Sequence, residues 1–211
     1  LYISIRFSIC FLDYKFVFSR LMDKKPLKIS FLEVKSKCFK KEFIELYKSK
    51  YITLTLRDYG FEKLRNTRQK DIDNALKLSK KYSAKLIIIP DNIDLINKYQ
   101  IPNSVKVIKS AREDIYIRIG IYSKSIVNIF TTSGPCILPL FIKGSKMIVI
   151  RAACGSDGDN INYYKNILGI EEGDQPFLRL GGYYLWNDLF KNIDENTLDF
   201  AYKKINQHKQ D

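Results

Sequence analysis

Arg57 closes the run Tyr51-Ile52-Thr53-Leu54-Thr55-Leu56, and Arg65, Asn66, Arg68 and Lys70 follow within one loop and the start of a helical stretch. A guanidinium offers two parallel N–H donors, so it can bond two oxygens of one phosphate. Arginines at a strand end beside a helix start therefore suit a phosphate-bearing ligand. A plainer reading is also open: Arg57 can pair with Asp58 or Glu62 at the surface. A second cluster is Thr131-Thr132-Ser133-Gly134-Pro135, where one apolar run turns straight into another. Hydroxyls and backbone N–H groups at a helix start bind anions, and the helix dipole helps. Gly134 lets backbone approach a ligand closely, and Pro135 suits the first helical position. An ordinary strand–helix turn with a Ser or Thr cap has the same residues.

Two further places carry carboxylates. Asp91, in Pro90-Asp91-Asn92, can hydrogen-bond a hydroxyl or a base, or cap the next helix; the cap is the expected role. Asp157 and Asp159 sit in a Gly-rich loop, a weak signal for a divalent cation. The chain contains neither G-x-G-x-x-G nor G-x-x-x-x-G-K-[ST], so the common dinucleotide and nucleotide-hydrolysing loops are not supported. The single histidine, His208, lies in a polar stretch near the end, which argues against a His-based triad. Cys10, Cys38, Cys136 and Cys154 form no C-x-x-C pair, so a zinc site is not expected and the thiols read as cytosolic.

These residues need strands and helices to hold them. Residues 51–57 are rich in β-branched and aromatic types, as strands are. Arg68 to Tyr82 places Ile72, Ala75, Leu76 and Leu78 near a 3.6-residue period, a helix of about four turns. The run 84–90 is continuously apolar, which suits a strand buried on both faces of a parallel sheet. Short strands are expected at 105–108, 125–130, 146–151 and 183–186. Helices are expected at 93–99, 114–123, 136–142 and 160–168, and from 195 to 207 with Asp194 as N-cap. Strand and helix thus alternate from residue 51, which predicts an open, doubly wound, mostly parallel α/β sheet. Ligands of such sheets bind beyond the carboxyl ends of the strands, where Arg57, Asp91 and the 131–135 turn fall. Residues 1–50 are less legible: 2–7 and 27–32 alternate like strands, and 39–48 have helical spacing.

Composition bounds the class. The chain has 211 residues with 45% apolar and 28% charged content, ordinary for a globular protein. Its 36 basic and 23 acidic residues give a net charge of +13. Residues 1–50 contribute +7, residues 51–151 contribute +10, and residues 152–211 contribute −4. That basic excess points to an anionic partner, or to solvated lysines on helix faces. The apolar start, residues 1–18, is broken by Arg6, Asp13 and Lys15, so it fits neither a membrane span nor a signal peptide. The first residue is Leu, which suggests a fragment or a start codon misplaced upstream of Met22.

Leu54-Thr55-Leu56-Arg57-Asp58 with Leu64-Arg65-Asn66, then Ile88-Ile89-Pro90-Asp91, then Thr132-Ser133-Gly134-Pro135, resemble in this order the C-terminal half of GT-B-type glycosyltransferase-like proteins. The Thr/Ser-Gly-Pro turn is similar to the heptosyltransferase loop that meets the donor's phosphates. Gly173-Asp174-Gln175-Pro176-Phe177 and Leu185-Trp186 resemble the end of that half. The resemblance covers roughly residues 51–205. It implies a Rossmann-like, nucleotide-sugar-binding domain over residues 51–211, with residues 1–50 a partial or remnant N-terminal segment and linker. It implies that Arg57, Arg65, Ser133 and Gly134 face the donor diphosphate. Asn66, Asp91 and Thr132 would contact ribose, base or sugar. No metal or cofactor is implied. The implied activity is transfer of a sugar from a nucleotide-sugar to a glycan or lipid-linked acceptor, in surface polysaccharide or glycan biosynthesis. The implied place is the cytoplasm, with peripheral membrane association through the basic surface. Fifty residues cannot form the first domain of such an enzyme, where the catalytic base usually lies, so no base is carried over. Three alternatives remain: a nucleotide-sugar epimerase, which lacks a candidate base here; a basic nucleic-acid-binding module, which lacks a stacking face and a known motif; and a non-catalytic α/β remnant.

Overall fold

Continuous apolar runs become the buried strands of a single sheet in the computed structural model, which describes residues 46, 48–60, 63–154, 161–186 and 192–208. The strands are β1 (Tyr51–Leu56), β2 (Lys85–Pro90), β3 (Lys106–Val107), β4 (Asn128–Thr131), β5 (Met147–Ala152) and β6 (Gly182–Trp186). Every pairing is parallel, and the order is β3-β2-β1-β4-β5-β6. The sequence reading of an α/β, doubly wound, Rossmann-like sheet is met. The strands expected at 2–7 and 27–32 lie outside the described residues, as does most of the stretch 39–48.

Helices α1 (Gln69–Lys81), α2 (Leu95–Lys98), α3 (Ser110–Glu113), α4 (Ile115–Lys124), α5 (Ile161–Leu168) and α6 (Glu195–Gln207) connect or close the strands. On one face, Ile72 and Leu78 of α1 and Leu198 and Ile205 of α6 pack with Ile52, Leu54 and Ile148. On the other, Ile117 and Tyr122 of α4 and Tyr164 of α5 pack with Phe130, Val149 and the fully buried Trp186. Alternation along each strand sends neighbouring residues to opposite cores. Asp194 caps α6 as its position predicts, accepting from the Thr197 N–H at 2.8 Å.

One local expectation changes, and one short helix was not expected. The apolar helix expected at 136–142 is a 3-10 segment, Gly134–Phe141. Pro139 has no N–H for a helical bond and its ring crowds the preceding turn, so the tighter winding wins. The four-residue α3 follows β3 directly and leaves too few residues for a periodic signal.

α1 and α6 are joined by Asp199. Its carboxylate accepts from Lys81 Nζ (3.0 Å), Lys203 Nζ (2.8 Å) and the Tyr82 hydroxyl (2.5 Å). Burial alone would raise this carboxyl, but the bonds from Lys203, Tyr82 and Lys81 outweigh it and hold the pKa at about 2. A carboxyl held below its unfolded value stabilises the fold above that value, and the contribution fades as pH falls through the folded pKa. Asp199→Asn should therefore lower the melting temperature near neutral pH. The gap to wild type should close as pH falls from about 4 to about 2. Melting curves across pH check this; a gap independent of pH would refute it.

Candidate functional site: a crevice between two diverging loops

The chain leaves β1 toward α1 on one face and leaves β4 toward the 3-10 segment on the other. β1 and β4 are neighbours, so their two loops diverge and leave a crevice at the carboxyl end of the sheet. A cleft of about 270 Å³ lies there, lined by Arg57, Arg65, Asp91, Ser133 and Gly134, with Tyr59 and Pro135. Five of the seven residues proposed from sequence thus meet in one cavity.

Arg57 follows β1 immediately and is buried, at 3% exposure. Its backbone N–H donates to Thr67 Oγ1 (2.9 Å), and its carbonyl accepts from the Thr67 N–H (2.8 Å). Its guanidinium donates to Asn66 Oδ1 at 2.5 Å and lies over the Tyr59 ring, 5.0 Å from the centroid. Of the two surface partners open to Arg57, Asp58 pairs with Lys98 instead, and Glu62 lies outside the described residues. Arg65 donates from Nε to the Thr132 carbonyl (3.0 Å), which ties the first loop to the second.

The other two proposed residues sit beside the cleft. Asn66 accepts from Tyr59 N–H (3.1 Å) as well as Arg57, and donates to Asp58 Oδ1 (2.7 Å) and the Tyr59 carbonyl (3.0 Å). Its amide thus braces the loop, and it lines a neighbouring cavity of about 490 Å³ with Lys63, Arg68 and Lys98. Thr132 holds Arg65 through its carbonyl and donates from its hydroxyl to the Arg151 carbonyl (3.3 Å).

Ser133 precedes the 3-10 segment with an extended backbone, yet its side chain makes no cap bond. The hydroxyl is left to the cleft rather than to the helix end. At Gly134 an added Cβ would meet no atom within 4 Å, so the glycine keeps that wall open.

Asp91 is not the helix cap that its position suggests. Asp94 precedes α2, and Asn92 Oδ1 accepts the Asp94 N–H (3.3 Å). The Asp91 side chain is only 5% exposed and pairs through Oδ1 with Arg118 at 3.3 Å. Oδ2 has no hydrogen-bond partner among the described residues. Burial raises this carboxyl above its ordinary value, while Arg118, Arg57 and Arg112 pull the other way. Sequence reasoning gave Arg118 no role. Its signal was a charged residue within an apolar helical stripe.

Arg151, at the end of β5, was also missed. Its backbone is left-handed, φ 55, where pairing with β6 is irregular between Ile150 and Ala152. That bulge turns Arg151 toward α1, the face Ile150 already occupies, against strict alternation. Nη1 and Nη2 then grip both oxygens of buried Asp71, at 2.8 and 2.7 Å. Nη2 also donates to the Asn66 carbonyl (2.9 Å), and Asp71 Oδ2 accepts the Arg68 N–H (2.7 Å). The end of β5, the start of α1 and the Arg57 loop are thereby one unit.

Among the described residues no three His, Cys, Asp or Glu side chains group as metal ligands. Asp157 and Asp159 lie outside the described residues. No helix among those residues is long and apolar enough to cross a membrane.

No protein-family model matches the chain, and no curated protein matches its sequence. Solved structures do match in shape. The UDP-GlcNAc 2-epimerase of Methanocaldococcus jannaschii, in complex with UDP-GlcNAc and UDP, has a TM-score of 0.50 at 10% identity, covering 93% of this chain and 48% of that one. A family 9 glycosyl transferase of Veillonella parvula has a TM-score of 0.51 at 10% identity, covering 83% of this chain and 53% of that one. The fold is GT-B-like. The chain spans about half the length of each neighbour.

The Arg151–Asp71 pair yields a stability prediction. Arg151→Met leaves Asp71 buried without its partner and should cost about 3–5 kcal/mol in urea unfolding. Asp71→Leu combined with Arg151→Met should cost clearly less than the sum of the single changes, because no lone charge remains. Additive losses would show that the pair is not coupled.

Proposed function

We propose that this chain is the donor-binding half of a glycosyltransferase that uses a nucleotide-sugar. The observation that carries this reading is the convergence of Arg57, Arg65 and the Ser133 hydroxyl on one cleft at the β1/β4 switch point. Two guanidiniums and a hydroxyl, with an open glycine wall, are suited to a diphosphate. Asp91 fits the same ligand class, since its unmet Oδ2 can accept a hydrogen bond from a sugar, ribose or base donor. The likeness to a UDP-GlcNAc 2-epimerase and a family 9 glycosyl transferase supports a nucleotide-sugar in general terms.

In this reading the donor diphosphate lies against Arg57, Arg65, Ser133 and Gly134. Asn66 and Thr132 act through the loops they brace. As an acceptor hydroxyl attacks the anomeric carbon, negative charge grows on the departing nucleotide diphosphate. The arginines stabilise that charge most in the transition state, which is how they would lower the barrier. The leaving group is held by side chains rather than by a metal. The acceptor, a glycan or lipid-linked sugar of surface polysaccharide synthesis, and the base that deprotonates it belong to residues outside this half. An epimerase reading fits the same fold, but the single histidine, His208, follows α6 at the opposite end of the sheet.

Titration calorimetry with UDP, GDP, ADP, CMP and their sugar conjugates tests the reading. One nucleotide diphosphate should bind selectively. Arg65→Ala should weaken it about tenfold or more, the scale of one lost charge-assisted hydrogen bond. Ser133→Ala should weaken it by a smaller factor. Gly134→Leu should leave the melting temperature nearly unchanged while cutting affinity. Equal affinities in wild type and all three variants would sink the assignment.

A further inference from the structure

Across the loop that follows β1, beside the cleft, lies the larger cavity of about 490 Å³. Three elements converge on it. The 3-10 turn Lys63–Arg65 contributes Lys63, the start of α1 contributes Arg68, and the end of α2 contributes Lys98. Asp58, Tyr59 and Asn66 of the loop face it too. Tyr59 also lines the cleft, so one ring forms part of the wall between the two. The nucleotide-sugar reading places its ligand in the cleft and gives this cavity no role.

Its charges do not balance. Three cations and one carboxylate line it among the described residues, an excess of two positive charges. Asp58 accepts from Lys98 Nζ (2.5 Å) through one oxygen and from Asn66 Nδ2 (2.7 Å) through the other. The side chains of Lys63 and Arg68 form no hydrogen bond or ion pair among the described residues. Arg68 also stands against local preference. It holds the N-cap position of α1 with an extended backbone, where Ser, Thr, Asp or Asn is favoured, and its side chain makes no cap bond. Lys70 lies two positions further on, so two cations stand at the positive end of the helix dipole. Asp71, the one acid of that turn, is committed to Arg151. A residue that breaks a local rule without internal compensation marks a functional position rather than a folding one.

We propose that this second cavity binds a sugar phosphate. A phosphate monoester carries about 1.5 to 2 negative charges at neutral pH, which matches the excess of two. Arg68 offers a planar fork that can bond two phosphate oxygens, and Lys63 adds a point charge. A sugar ring has an apolar face and an edge of hydroxyls. Tyr59, 46% exposed, presents an aromatic surface to the face. Each Asp58 oxygen keeps capacity for a further hydrogen bond, so the carboxylate can accept from the hydroxyls. Bare phosphate would use the cations and leave both the ring and the carboxylate without a contact. Because the two cavities share Tyr59, a sugar phosphate here and a nucleotide-sugar in the cleft are neighbours across one ring. The binding itself does not rest on the nucleotide-sugar reading.

Titration calorimetry with a panel of hexose 1-phosphates and 6-phosphates tests the site, with inorganic phosphate, free hexose and UMP for comparison. A hexose phosphate should bind, and more tightly than those three. Lys63→Ala and Arg68→Ala should each weaken it about tenfold or more, the scale of one lost charge-assisted hydrogen bond. Neither change should lower the melting temperature, and Arg68→Ala should hold or raise it, since that cation opposes the helix dipole. Lys80→Ala, the same change of charge at the far end of α1, should leave the affinity nearly unchanged. Equal loss in Lys80→Ala would reduce the effect to net charge, and loss in neither Lys63→Ala nor Arg68→Ala would put the ligand elsewhere; either overturns the site. Inorganic phosphate or UMP binding as tightly as every hexose phosphate would overturn the ligand class, and no binding at all would overturn the proposal. Failure of nucleoside diphosphates to bind would count against the cleft reading alone.

Discussion

The grip of Arg151 on Asp71 is the interaction on which the carboxyl end of this sheet depends. A non-glycine residue at φ 55 is held against its own preference, at a cost of about 1–2 kcal/mol. What it gains is a bidentate ion pair with both partners at most 5% exposed in their side chains. Through Asp71 the pair fixes the first turn of α1. Through the Asn66 carbonyl it fixes the loop that carries Arg57. Through its own carbonyl Arg151 meets the Thr132 hydroxyl, and Thr132 in turn holds Arg65. Both arginines of the cleft are thus located from a single buried charge pair. A buried pair of this kind is weak evidence for added stability, since apolar side chains could fill the same space. Its value lies in geometry: it makes three loops from distant parts of the chain share one arrangement.

Strand direction does the rest of the sorting. In an all-parallel sheet every strand ends on the same side, and every helix that follows begins there. Helix starts and strand ends therefore collect at one edge, where partial positive charge and side chains such as Arg57 and Ser133 can face one ligand. Helix ends and strand starts collect at the other edge. The arginines are largely buried or tied into loops, while the lysines are mostly exposed.

The strands were legible because parallel strands are apolar on both faces, so runs such as Leu86-Ile87-Ile88-Ile89 stand out without any periodicity. The cleft was half legible. Arg57 and the Ser133-Gly134 turn could be placed because a doubly wound sheet puts its site at strand ends. The partners of Asp91 could not be read: Arg118 lies 27 positions away, and only the fold brings it within 3.3 Å. Asp71 and Arg151 are 80 positions apart, and nothing local marks either. The left-handed bulge at Arg151 was invisible for the same reason, since arginine has no local preference for that backbone. Pro139 was readable and underweighted; it decides between a helix and a 3-10 segment. Asn66 and Thr132 have site-like chemistry but spend it on neighbouring loops, a distinction that requires the hydrogen-bond partners themselves.

Among the described residues, three buried side-chain polar atoms lack a partner: Asp91 Oδ2, Thr131 Oγ1 and Arg151 Nε. They stand at the ends of β2, β4 and β5, all on the cleft side of the sheet. An unmet buried polar atom costs about 1–3 kcal/mol. Elsewhere the chain avoids this cost: buried Asn128 meets Thr53, Tyr122, Ser145 and Lys146 with its one amide. Chance would scatter such defects over the interior, whereas a ligand site collects them. Of the three, Asp91 lines the cleft itself, and it is an acceptor among arginines. A simple anion would satisfy the arginines and repel Asp91. A ligand that pairs an anionic group with a hydrogen-bond donor a few ångströms away satisfies both, and that combination separates a nucleotide or a sugar phosphate from inorganic phosphate.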